Sequence, residues 1–180
     1  MKTLLTNAKV IDPVTETISD GEIMFEDGII ISREKEDKTI DCQGLYLSPG
    51  LIDLGVKVGE PGERHKESYK SAGAAAAAGG VTTIVTRPDT HPAIDTPEVL
   101  EFIRRRAHEV CPVNVVHMAA LTKERAGREM TEIGFLKDAG AIAFTDFNNV
   151  VRNSKILSRA LSYAKSVSYT HLTLPTKSSG

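Results

Sequence analysis

Cysteine is scarce in this chain, long apolar runs are missing, and neither sign of charge dominates. The two cysteines, Cys42 and Cys111, stand far apart and in no C-x-x-C arrangement. Neither a disulfide framework nor a thiolate metal site is expected from them, and they suit a reducing cytoplasm. No segment approaches the roughly 18 apolar residues of a membrane span, and the start, M-K-T-L-L-T-N-A-K-V, has too short an apolar run for a signal peptide. A formal charge of −2 gives no global attraction to nucleic acid or an anionic membrane. The basic run Arg104 to Arg106 lies inside a helical pattern and reads as a solvated helix face. Nothing forms a nucleophile–base–acid triad, a phosphate loop or a zinc finger. What is present, 41% hydrophobic and 26% charged residues over 180 positions, describes a soluble globular chain of one domain, or a small domain plus part of another.

Residues 1–48 alternate short β-rich runs (T-L-L-T, K-V-I-D, E-I-M-F, G-I-I-I-S, K-T-I-D, L-Y-L-S) with turn residues at Asp12-Pro13, Asp20-Gly21 and Asp27-Gly28. This pattern predicts a small antiparallel sheet. From 49 to 166 the rhythm becomes strand, helix, strand, helix, which requires a mainly parallel sheet of an α/β protein. Four such units are expected, with strands near 51–58, 82–86, 113–119 and 141–146. The first helix carries the run Ala74 to Ala78 and stops at Gly79-Gly80; small side chains predict a thin helix lying close on the sheet. The second has Thr96 as N-cap with Pro97 behind it. The third places Ile133, Leu136 and Ala139 on one face before Gly140, and the fourth aligns Ile156, Ala160 and Ala164 beside Leu157 and Leu161.

The stretch Pro49 to Gly62, P-G-L-I-D-L-G-V-K-V-G-E-P-G, resembles the first barrel strand of dihydroorotases and related cyclic amidohydrolases, P-G-x-I-D-x-H-x-H-x-R-E-P-G. The resemblance continues through A-A-G-G-V-T-T-I-V, A-L-T-K, E-M-T-E-I-G-F-L-K-D-A-G-A-I-A-F-T-D and R-A-L-S-Y-A-K. It implies the N-terminal part of a small β-sandwich over 1–48, then over 49–166 the first half, about four β/α units, of a TIM-type (β/α)8 barrel with its site at the carboxyl ends of the strands. Residues 167–180 resemble vector or adapter read-through, so a foreign tail is expected there, and a natural protein continuing with four more units. An open barrel edge would then favour association, and an oligomer is expected.

In the family the two histidines of the first strand bind catalytic zinc; here Gly55 and Lys57 stand at those positions. Strand alternation puts Ile52, Leu54, Val56 and Val58 under helices and Asp53, Gly55, Lys57 and Gly59 toward the barrel interior. Glycine has no side chain, and a lysine ammonium has no lone pair. No metal is therefore expected, and Asp146 is the one position in this chain that matches a family ligand. The family's substrate-gripping arginine is replaced by Gly59, and its asparagine by Asp89 in R-P-D-T. Lys57, Arg87 and Asp89 are the candidates for a substrate pocket. An inward lysine needs a carboxylate, and Asp146 is the expected partner, with Asp53, Glu60 and Asp89 as competitors; alternatively Asp146 is a solvated turn or helix-start residue. His65 and His91 fall on loops after the first two strands, where a relocated metal site is conceivable but surface is the better reading. His108 is expected on a solvent face, His117 in strand packing, and His171 in the tail.

Three readings follow from the resemblance. The favoured one is a catalytically silent dihydroorotase-like protein of pyrimidine biosynthesis, similar to members that lack zinc ligands and partner aspartate carbamoyltransferase. The others are a working zinc-dependent cyclic amidohydrolase and a small-molecule binding module, the last requiring Lys57 and Arg87 to be free.

Overall fold

The computed structural model describes residues 1–167, so all but the first residue of the expected foreign tail, including His171, lies outside the described residues. The chain divides into two compact units, Met1–Gly50 and one beginning at Leu51.

The first unit is a five-stranded sheet of β1 (Thr3–Asp12), β2 (Thr17–Glu26), β3 (Ile29–Ile31), β4 (Lys38–Asp41) and β5 (Tyr46–Leu47). T-L-L-T and K-V-I-D, read as separate runs, are one strand carried across an irregularity between Leu5 and Ala8, where Asn7 takes φ 53°. The sheet is mixed rather than antiparallel: β1, β2 and β3 form a meander, whereas β4 and β5 follow one another along the far edge of β1 in parallel register. Residues 32–37 cause this by returning the chain to the start of β1, where Asp37 donates its amide to the Lys2 carbonyl (2.9 Å). Two of the three turn signals act as expected. Asp12 accepts the amides of Val14 (2.8 Å) and Thr15 (3.3 Å), which holds its carboxyl below the usual range. Asp27 and Gly28, both at positive φ, join β2 to β3. Asp20-Gly21 instead lies inside β2, with Gly21 opposite Ala8.

The second unit carries a four-stranded parallel sheet in sequence order: β6 (Leu51–Val56), β7 (Val81–Thr86), β8 (Asn114–Ala119) and β9 (Ala141–Phe144). The helices are α1 (Tyr69–Ala78), α2 (Pro97–Val110), α3 (Ile133–Asp138) and α4 (Ser154–Ser166). Local chemistry sets their ends. Ser68 and Ser71 form a reciprocal capping box on α1, and Thr96 accepts the Val99 amide ahead of Pro97. Between sheet and helices lies a core of Val58, Tyr69, Ile94, Leu100, Ile103, Leu136, Phe144 and neighbours. This four-unit β/α arrangement is the N-terminal part of a TIM-type barrel.

Two packing expectations are corrected. The alanine run does not make the close helix contact: Ala74, Ala75, Ala77 and Ala78 are exposed. The approach is made one residue earlier, at buried Gly73, where an added Cβ would collide with Cys111 Sγ and stand 2.6 Å from Pro112 Cδ. Gly73→Ala is expected to cost about 1–2 kcal/mol net in thermal unfolding, overpacking outweighing the gain in helix propensity. Cys111→Ala in the same chain should recover part of it.

On β6, Ile52 and Leu54 do not pack under helices but are 63% and 72% exposed. The strict alternation also fails, because the register slips between Leu54 and Val56, leaving Gly55 as an unpaired residue at φ 87°. Lys57 lies beyond the end of the strand, and Val58, Gly59 and Glu60 are buried in succession.

Candidate functional site

The carboxyl ends of β6, β7 and β8 and the turns after them gather most of the charged residues singled out above. Arg87 follows β7 directly. Its Nε donates to Asp89 Oδ1 (3.0 Å) and its Nη2 to Asp89 Oδ2 (2.7 Å), a two-pronged pair. The same guanidinium lies 3.6 Å from the centroid of the Phe147 ring. Arg87 and Asp89 thus neutralise each other.

Lys57 is half-exposed, with Nζ 3.8 Å from Glu63 Oε2 and 3.9 Å from Asp89 Oδ2. It does not pair with Asp146. That carboxylate is buried and accepts the amides of Leu121 (3.0 Å) and Thr122 (2.9 Å) and the Thr122 hydroxyl. Asp146 is therefore neither a counter-ion for Lys57 nor a solvated turn residue: it fastens the loop after β8 to the end of β9. Of the competitors, Asp89 contributes in part. Glu60 is committed elsewhere, to Arg106 Nε (2.9 Å) and the Tyr69 amide (3.2 Å), and Asp53 is exposed. Arg106 is accordingly drawn off the solvated face, whereas Arg104 and Arg105 are exposed as expected, Arg104 donating to the Ala139 carbonyl.

Sequence reasoning missed Glu63, Arg125 and Asn148. Arg125 closes a tight turn after β8, Lys123–Arg125, in which Glu124 and Arg125 both take positive φ. Asp95 accepts the Glu124 amide (2.7 Å), and the Asn149 side-chain amide donates to the Arg125 carbonyl (2.9 Å). Nothing in A-L-T-K-E-R marks such a turn, which depends on partners far away in the chain.

The histidines do not converge. His65, His91 and His108 are exposed, and His117 is buried in β8. His117 Nδ1 is 2.7 Å from Thr86 Oγ1, its ring meets Tyr69 edge-on at 6.0 Å, and its Nε2 has no hydrogen-bond partner. Burial, with the Arg104 charge as a smaller cause, pushes its pKa down to about 4, and burial likewise raises the Tyr69 phenol. Among the described residues no three His, Cys, Asp or Glu side chains are placed to hold a metal ion. Nor does the donor chemistry fit zinc at the positions matching the family's: Gly55 and Lys57 offer no lone pair, and the oxygens of Asp146 are taken by N–H and O–H donors. No helix among these residues is long and apolar enough to cross a membrane.

A family model described as dihydro-orotase-like matches residues 44–171. The chain is 42% identical over 170 residues to a dihydroorotase of Wolbachia sp. subsp. Drosophila simulans (strain wRi), covering 91% of this chain and 38% of that protein. It is 38% identical over 174 residues to a dihydroorotase of Syntrophus aciditrophicus, covering 93% and 41%. Among solved structures, an L-hydantoinase (dihydropyrimidinase) from Arthrobacter aurescens superposes with a TM-score of 0.80 at 20% identity, over 93% of this chain and 39% of that one. A D-hydantoinase superposes at 0.76 and 20% identity, over 94% and 39%. The chain thus spans about 40% of the length of the curated relatives it matches. With the family model covering more than half its residues and these relatives near 40% identity, the chain belongs to the dihydroorotase-like family.

Proposed function

We propose that this chain is part of a dihydroorotase-like protein of pyrimidine biosynthesis that does not open the dihydroorotate ring and serves as a structural partner of aspartate carbamoyltransferase. One observation carries the reading. At the end of β6, where the family pattern has two zinc-binding imidazoles, there is a bulged glycine and a lysine whose charge is directed to Glu63 and Asp89. In active members zinc polarises the ring amide and activates water; a cationic side chain at a ligand position repels the ion that this chemistry needs. Asp146 serves the fold instead, through Leu121 and Thr122.

The test is threefold on one preparation. After incubation with zinc and removal of the excess, the protein is expected to retain well below one equivalent, to show no ring opening of dihydroorotate, and to co-elute with aspartate carbamoyltransferase. Stoichiometric zinc with turnover would establish the working amidohydrolase, the activity for which the relatives are named. Separate elution would remove the partner.

A further inference from the structure

From Phe147 to Ser166 the chain carries no aspartate or glutamate, while Arg152, Lys155, Arg159 and Lys165 all fall within that stretch. Arg152 lies just before Asn153, the N-cap of α4, and Lys155 and Arg159 follow one turn apart on the helix, so these three share one side. All three are exposed. A pocket of about 410 Å³ opens beside them, lined by Arg128, Val150, Arg152 and Ile156 among others and by no acidic residue. Arg128 is exposed as well, and Glu129 next to it is held by Lys123. Arg128, Arg152, Lys155 and Arg159 have no ion-pair partner among the described residues.

These charges run against the helix that carries them. Aligned peptide dipoles leave the first turn of a helix partly positive, where carboxylates stabilise and cations do not. Helix α2 follows this rule with Glu98, whereas the first turn of α4 has Lys155 and no acid. The helix end is not itself the binding group, because Asn153 already accepts the amides of Lys155 (3.0 Å) and Ile156 (3.4 Å). What lacks a partner is the side-chain charge. We propose that Arg128, Arg152, Lys155 and Arg159 form a docking surface for an acidic segment of another protein. Lys155 and Arg159 are about 6 Å apart along the helix axis, and an extended chain repeats one face about every 6.6 Å, so carboxylates at alternate positions match them. Val150, 66% exposed, offers an apolar contact in the same pocket lining. A formal charge of −2 gives no long-range attraction to nucleic acid or an anionic membrane, and no aromatic ring lines the pocket for a base to stack on. The surface goes beyond the partner reading and does not rest on it.

The probe is a fluorescein-labelled octapeptide alternating glutamate and serine, titrated with the whole chain and read by fluorescence anisotropy. Saturable binding is expected, and its loss at high salt, where exposed charges are screened. Arg152→Glu and Lys155→Glu are each expected to weaken binding about tenfold, whereas Lys70→Glu, at an exposed cation of α1, leaves it unchanged. Lys155→Glu has a second readout. By placing an acid in the first turn of α4 it is expected to raise the melting temperature by about 2 °C, so that binding and stability move in opposite directions. No saturable binding, binding untouched by salt or weakened equally by Lys70→Glu, or a lowered melting temperature for Lys155→Glu would overturn the proposal. Tighter binding of octathymidylate or of phosphatidylserine vesicles than of the peptide would overturn it too, by assigning the surface to a nucleic acid or a membrane.

Discussion

Asp146→Ala is expected to destabilise the second unit by about 3–5 kcal/mol, a large part of the stability of an ordinary domain. The carboxylate is buried and gathers the Leu121 amide, the Thr122 amide and the Thr122 hydroxyl, whose oxygen in turn accepts the Gly127 amide at 2.8 Å. Alanine would strand three donors at once, each at a cost of about 1–3 kcal/mol where water cannot replace the lost acceptor. Asparagine separates shape from charge. Its oxygen can still take both amides, but its NH2 is a donor where the Thr122 hydroxyl needs an acceptor for its hydrogen, so an intermediate loss of about 1–2 kcal/mol is expected. Urea unfolding followed by circular dichroism measures both. A loss below about 1 kcal/mol for alanine would show that solvent reaches these amides and that Asp146 is not the clasp of the β8 loop.

Lowering the pH from 7 to 4 is expected to remove roughly 3 kcal/mol of stability through His117 alone. Burial holds its folded pKa at about 4, against about 6.5 for an exposed imidazole. Above the unfolded value the ring is neutral in both states and the fold has its full stability. As the pH falls through 6.5 the unfolded chain takes up a proton that the folded chain refuses until about 4, so stability drops across that window and this group adds no further loss below it. Carboxylates also lose their interactions in acid, and the contrast with His117→Leu isolates the imidazole. The variant should be less stable at pH 7, where Thr86 loses its partner, and flatter between 6.5 and 4. Parallel profiles for the two proteins would mean that His117 is protonated in the fold.

The features legible in the sequence were those written in neighbouring residues. Thr96 before Pro97, the stop at Gly79-Gly80, the Ile133 and Leu136 face, and the alternation of strand with helix all depend on local backbone chemistry. The features that escaped depend on partners distant in the chain or on one anomalous backbone angle. Alternation in β6 misled: Ile52 and Leu54 are exposed rather than covered by helices, and the slip at Gly55 breaks the strict period, because periodicity assumes that every residue advances the pleat equally. Lys57 was rightly expected to need anions, yet Glu63, six positions away on a turning loop, could not be placed against it by spacing, and Asp146 looked available because its donors lie in another loop. Aspartate before glycine forms a turn at Asp27 but not at Asp20, where strand pairing of Asp20 with Lys9 and Gly21 with Ala8 outweighs the local preference. Arg125 has no local mark at all; its significance lies in what surrounds it.

The backbone at Gly55, φ 87°, sits in a region that residues bearing a side chain seldom adopt. A histidine restored there by point mutation would first have to turn the chain back through that angle and re-pair β6 with β7. An imidazole at 55 would therefore arrive on a main chain not shaped for it, whereas position 57 carries no such angle. A histidine at 55 is a few nucleotides away in the gene, while in the folded molecule it requires the pleat itself to change.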